Sequence, residues 1–222
     1  MSSKQFVVIG LGHFGSSVAR TLYSMGNDVL AIDCSEELVQ QISDDVTHAV
    51  QLNATDENSL KQLGIRNFDV AVIGTGTDLQ SSIMITLLVK EMGVKYIIAK
   101  AMNELHAKVL YKIGADRVVF PERDMGVRVA HNLASSNILD YIELSPNYSI
   151  IEITALPQWE GKTLSDLNIR SKFGLNVMAI KKGEDINISP VADDIVEQSD
   201  VLVVIGETEA INKIEKLRIE EE

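Results

Sequence analysis

The chain has 222 residues, 45% of them hydrophobic, and a formal net charge of −12 from 32 acidic and 20 basic side chains. That suffices for one sizeable core plus a small second domain, and the acidic balance, with no Lys/Arg run, excludes a nucleic-acid partner, whose phosphates demand a basic face. The single cysteine, Cys34, excludes a disulfide framework and a Cys-based zinc site and fits a reducing compartment.

The apolar run at 5–10 predicts a first strand, and residues 14–25 a first helix closed by Gly26. Gly10, Gly12 and Gly15, in FVVIGLGHFG, fall in the strand-to-helix turn between them. Such a turn lets backbone N–H groups approach a phosphate at a helix N-terminus, where the dipole favours negative charge. Residues 27–33 predict the second strand, which ends in Asp33, 18 residues past Gly15. A carboxylate there can accept both ribose hydroxyls of an adenine nucleotide. Strand, glycine turn, helix, strand and acid in this order read as a nucleotide-binding Rossmann unit. A tight turn beside a solvated strand end is the plainer alternative.

SerGluGluLeu at 35–38 is a capping start for the next helix. Residues 48–52 form a third strand, and 54–60 cap and open a helix that ends at Gly64. AsnAlaThrAsp at 53–56 reads equally as a plain helix cap. Residues 70–74 are strand four, 80–92 an apolar helix, 96–100 strand five, 104–113 a helix, and 117–120 strand six, stopped by Pro121. Repeated short βα units predict an α/β fold, a doubly wound parallel sheet.

The rhythm then changes. Residues 125–139 predict one helix; strands of different texture follow at 149–155, 176–180, 186–189 and 201–206, and a polar helix closes the chain. The expected organisation is a nucleotide-binding domain over 1–124, a connector helix over 125–139 and a small α+β domain over 140–222. The N-terminus MSSKQF passes directly into the first strand, and no run is long enough to span a bilayer. A soluble chain without a leader is expected.

The segments VVIGLGHFG, LAIDCSEE, LNATDENSLKQLGIRNFDVAVIGTG and IGADRVVFPERDMG together resemble the N-terminal domain of the RCK (regulator of potassium conductance) family. LSDLNIRSKFGLNVMAIKKGEDINISP and DVLVVIG resemble its companion C-terminal domain. The arrangement is similar to the cytosolic regulatory subunits of Ktr- and Trk-type bacterial potassium uptake systems. The resemblance implies homodimers assembled into an octameric ring at the membrane, under a potassium-translocating subunit. It implies a cytoplasmic, peripherally membrane-associated protein whose ring changes shape with bound ATP or ADP. The phosphate turn maps to Gly10, Gly12, His13, Phe14 and Gly15, the ribose acid to Asp33, and the adenine side to Asn53, Ala54 and Thr55. Gly74 and Lys100, at the ends of strands four and five, join the same set. Glu122 matches a glutamate that binds Mg2+ or another cation between paired nucleotides. Arg170, Asn176 and Pro190 match the residues that hold cyclic di-AMP between two C-terminal domains. His13 departs from the family pattern, which often has Arg at this point of the turn. An imidazole is a weaker phosphate partner than a guanidinium fork, which puts discrimination between ATP and ADP in question.

Bland alternatives stand beside these assignments. Glu122 follows a proline at a helix start, where any carboxylate is favourable. Arg170 shares its segment with Lys172 and reads otherwise as a solvated basic residue. His48, His106 and His131 read as structural or surface residues. An NAD(H)-dependent oxidoreductase or redox sensor is the competing function. Hydride transfer needs a general acid or base and a substrate anchor from a second domain, and no histidine follows His131. A gating protein without catalysis is the expectation, and removal of Asp33 is expected to abolish nucleotide binding with little effect on folding.

Overall fold

The computed structural model describes residues 4–75, 78–134 and 138–219. It divides into two compact units, Met1–Glu122 and Arg123–Glu222.

In the first unit strands and helices alternate: β1 Gln5–Ile9, α1 His13–Ser24, β2 Asp28–Asp33, α2 Glu36–Ile42, β3 His48–Gln51, α3 Glu57–Gln62, β4 Val70–Ile73, α4 Leu79–Glu91, β5 Tyr96–Lys100, α5 Glu104–Lys112 and β6 Arg117–Val119. The strands form one sheet in the order β3-β2-β1-β4-β5-β6, and all its pairs are parallel. Successive residues of a strand point to opposite faces, so both faces need apolar residues where helices cover both. Val7, Ile9, Leu30, Ile32, Ala71 and Ile73 pack in one core. Val8, Val29, Ala31 and Val72 alternate with them and pack in another. That double burial is why the strands read as unbroken apolar runs.

Polar caps set the helix starts. The side chains of Ser35, Asp56, Asp78 and Asn103 accept backbone N–H groups of α2, α3, α4 and α5. The helix expected from 54 therefore begins at Glu57. Ile9 is opposite both Ile32 and Ile73, and Ile73 is opposite Ala99. This register lines up Gly10, Asp33, Gly74 and Lys100 along the carboxyl edge of the sheet. The strand order reverses between β1 and β4, where doubly wound sheets bind their ligands.

The helix expected over 125–139 is observed as α6, Pro121–Ala134. Residues 135–137 lie outside the described residues. Leu139 belongs instead to a strand, β7 Ile138–Ser145. Ile138, Leu139, Tyr141 and Ile142 satisfy helical spacing and alternation alike, and pairing with the next strand decides for the latter. The second unit continues with β8 Tyr148–Thr154, β9 Lys162–Thr163, α7 Leu164–Leu167, α8 Ile169–Phe173, β10 Asn176–Lys182, β11 Asp185–Asn187, β12 Ile195–Val196, β13 Val201–Glu207 and α9 Thr208–Ile219. Its main sheet runs β11-β10-β13-β8-β7, beside a two-stranded β12-β9 pair, and every pair is antiparallel. The strand expected over 186–189 stops at Asn187, because its side-chain oxygen turns back to accept the Ser189 amide at 3.1 Å. Ile151, Ile153, Leu175, Leu202 and Val204 form this unit's core with Trp159.

Candidate nucleotide site

The glycine turn owes its shape to close backbone approach. Gly10 has φ +95°, and a Cβ there would lie 2.6 Å from the Thr75 amide nitrogen. A Cβ at Gly15 would collide with the Gly10 carbonyl oxygen, and one at Gly74 would lie 2.7 Å from that same oxygen. These three glycines let β1, α1 and β4 meet. Gly12 is different: it is the N-cap of α1, and a Cβ there would meet nothing within 4 Å. Packing within the chain does not require its missing side chain. The space over the turn at this point is open. The N-terminus of α1 carries no side-chain cap, the kind of helix end at which amides can meet an anion. His13 is exposed at the start of the helix, and Phe14 packs against the core beneath.

Asp33 ties this turn to β2. Its Oδ2 accepts the Leu11 amide at 2.7 Å and its Oδ1 the Ser35 amide at 2.8 Å. A carboxylate has about four lone-pair sites, so each oxygen can accept a further donor. Asn53 closes a local turn, with Oδ1 accepting the Thr55 amide at 3.1 Å and hydroxyl at 2.8 Å. The cap of α3 is Asp56, not Asn53. The Ala54 side chain is buried in the core, so this residue can offer a ligand only its backbone. Thr75 is a residue that the sequence did not single out. Its hydroxyl is buried beside Gly10 without a hydrogen-bond partner among the described residues. Its place directly after Gly74 was the available signal. An orphaned hydroxyl and an unobstructed Gly12 at one sheet edge fit a polar ligand there.

Lys100 ends β5, and its Nζ bonds Glu122 Oε1, in the first turn of α6. The ammonium holds the Glu122 carboxyl below the usual range. Among the described residues no three His, Cys, Asp or Glu side chains gather in a way that could hold a metal ion. The Glu122 carboxylate itself is already paired with Lys100.

In the second unit Arg170 lies exposed on α8, Asn176 opens β10, and Pro190 follows β11 in a loop. Asn176 lines a cleft of about 520 Å³ with Tyr148, Phe173, Glu207 and Lys213. Arg170 and Pro190 do not line that cleft, so a single chain does not bring the three together there.

The description "TrkA-N domain" matches residues 6–121, and "TrkA-C domain" residues 148–218. Over 213 residues the chain is 48% identical to Ktr system potassium uptake protein C of Bacillus subtilis, with 96% of each chain covered. The chain belongs to the Ktr family of potassium uptake proteins. Its identity to Ktr system potassium uptake protein A of the same organism is 46%, over 97% of each chain. Among solved structures the Ktr chain superposes on the GsuK RCK domain with a TM-score of 0.66 at 18% identity, covering 97% of this chain and 48% of that one. That likeness shows the RCK fold. The RCK resemblance and the α/β-plus-C-terminal-domain expectation are both borne out. No described helix is long and apolar enough to cross a membrane.

Proposed function

We propose that the chain is the nucleotide-sensing gating subunit of a potassium uptake system, cytoplasmic and peripheral to the membrane, working by binding rather than catalysis. The observation that carries this is the pairing, on one sheet edge, of the free approach over Gly12 with the two-oxygen acceptor Asp33. In this reading ATP and ADP place their phosphates over Gly10, Gly12 and Gly15, their ribose on Asp33, and their adenine beside Asn53, Ala54 and Thr55. His13 and Lys100 face the phosphate end. Ligands with different affinity for two ring shapes shift the population between them. Met125, Val127, Val129 and Leu133 of α6 are exposed, and apolar residues left in water on one helix support pairing of subunits along it. Octameric assembly under a translocating membrane subunit is part of this reading. Cyclic di-AMP bridging two C-terminal domains through Arg170, Asn176 and Pro190 is the proposed second control, and a cation at Glu122 the third.

NAD(H) is the competing ligand, because Asp33 would serve its ribose equally well. Calorimetry and thermal shift with ATP, ADP, NAD+, NADH and cyclic di-AMP, each with and without Mg2+, test the proposal. A ligand in excess raises stability by RT ln(1 + [L]/Kd). Tight ATP and ADP binding with weak NAD(H) is expected. Tight NAD(H) with no response to ATP would overturn it in favour of a redox sensor or oxidoreductase.

A further inference from the structure

We infer that Asp194 is a positioning residue that, with Asn187, sets Pro190 for cyclic di-AMP. The inference rests on the reading of Pro190 as a contact of that ligand and adds what holds it in place. Pro190 stands in the segment between β11 and β12, and a proline has no N–H of its own. The amides on either side of it are both engaged. The Ser189 amide donates to Asn187 Oδ1 at 3.1 Å. The Val191 amide donates to Asp194 Oδ2 at 2.8 Å. Asn187 Nδ2 donates to that same Oδ2 at 2.9 Å, which joins these bonds into one chain around the proline. A backbone amide can only donate, so the Ser189 bond fixes which end of the Asn187 side chain faces Asp194. The Asp194 backbone closes the turn as well, its N–H donating to the Val191 carbonyl at 3.0 Å. The same turn supplies acceptors for the first amides of α7. Leu164 donates to the Asp194 carbonyl at 3.0 Å and Ser165 to the Ala192 carbonyl at 2.9 Å. Asn168 and α8, which carries Arg170, follow α7 directly. Asp194 therefore braces the Pro190 loop with its side chain and seats it, through its carbonyl, on the segment that leads to Arg170. Ile188 and Val191 beside the proline are 77% and 61% exposed, so apolar packing does not fix the loop's shape; the polar clip does. Without the clip, water can take over the freed donors of an exposed loop, and the fold survives. What is lost is a single loop geometry, which a ligand must then restore against conformational entropy.

The test compares full chains of wild type, Asp194→Ala, Asp194→Asn, Pro190→Ala and the Pro190→Ala, Asp194→Ala double variant. Hydrogen exchange without ligand reads the clip, and calorimetric titration with cyclic di-AMP reads its effect. Asp194→Ala is expected to speed exchange of the Ser189 and Val191 amides about tenfold and to bind cyclic di-AMP about tenfold more weakly. Its ATP affinity is expected to match wild type, and its melting temperature to lie within a few degrees. Asp194→Asn retains an oxygen that can accept both donors, and is expected to stay within about threefold of wild type in both readouts. In the Pro190→Ala background, Asp194→Ala is expected to add less than about threefold, because the contact that it positions is already gone. Full addition of the two effects would assign Asp194 to the general stability of the domain and overturn the positioning role. Unchanged loop exchange in Asp194→Ala would overturn the clip itself. Faster exchange with full cyclic di-AMP affinity would overturn its part in binding. No cyclic di-AMP binding by wild type would overturn the reading of Pro190 and this role with it, while the exchange data still decide the clip.

Discussion

The Leu11 amide donates to Asp33 Oδ2 at 2.7 Å, which makes the proposed ribose acid a strut of the glycine turn as well. Leu11 is buried, so its amide has no water to fall back on. A buried donor left without a partner costs about 1–3 kcal/mol. The structure thus revises the expectation that Asp33 is dispensable for folding. Asp33→Ala is expected to lose more than tenfold in ATP and ADP affinity and to lower stability by about that penalty. Calorimetry and urea unfolding of the same sample separate the two effects. Unchanged stability would mean that the turn holds itself without Asp33. Undiminished ATP binding would remove the carboxylate from the ribose site.

The glycines separate in the same way. Gly15→Ala drives a methyl group into the Gly10 carbonyl and is expected to cost several kcal/mol or prevent folding, as overpacking against rigid backbone does. Gly12→Ala meets open space and is expected to melt within a few degrees of wild type while binding nucleotide at least tenfold more weakly. Full affinity in folded Gly12→Ala would show that no phosphate approaches there.

The glycine turn and the place of Asp33 were legible because a local run of residues carries them: strand, three glycines, helix, strand, acid. The parallel sheet was legible because burial on both faces writes it as apolar runs. What escaped was non-local. Lys100 and Glu122 each stood out singly, but nothing between them in the chain announces their bond. Ile138 to Leu144 escaped as β7 because its apolar spacing serves helix and strand alike, and the register against β8 shifts at both ends. The β9–β12 pair is two residues long on each side, too short for any period to show. Thr75 escaped because only the fold sets it against Gly10, where a Cβ would meet its amide nitrogen and methyl carbon.

In the second unit Arg128 grips Asp140 through both carboxylate oxygens. The guanidinium bond first, then the Tyr141 amide, hold the Asp140 carboxyl below its usual range. A carboxyl depressed on folding stabilises the native state fully above its unfolded pKa, about 3.9, and loses that contribution as pH falls through the lowered native value. Asp140→Asn is therefore expected to be less stable than wild type at pH 7, with the gap closing in acid. Melting curves from pH 7 to pH 2 check this. A gap that does not narrow would mean that the pair contributes nothing through its charge.

His106 gives a second pH dependence, of a different origin. Its ring is buried, Nδ1 accepts the Met102 amide at 3.3 Å, and Nε2 has no partner among the described residues. Burial pushes its pKa below the ordinary value. Below about pH 6.5 the unfolded chain binds a proton that the native chain resists, so stability falls as pH drops from there towards the native value. His106→Leu is expected to flatten the difference between urea midpoints at pH 7.5 and 5.5. An unchanged difference would assign it to other groups.

His13 carries the last prediction, because it stands where the family often has arginine. It is exposed at the first position of α1, beside the uncapped amides proposed to hold phosphate. A guanidinium presents a planar fork of donors that matches phosphate oxygens in pairs, and it stays charged at any working pH. A neutral imidazole has one donor. Restoring the fork adds interactions that only the terminal phosphate of ATP can use, if the side chain extends past the ADP portion. His13→Arg is then expected to tighten ATP by about tenfold, the effect of one or two charge-assisted hydrogen bonds, and to leave ADP nearly unchanged. Calorimetric titration of both nucleotides into wild type and variant reads the ratio directly. Equal tightening of ATP and ADP would place position 13 over the inner phosphates. No change in either would take it out of the site, and with it the idea that histidine here limits the distinction between the two nucleotides.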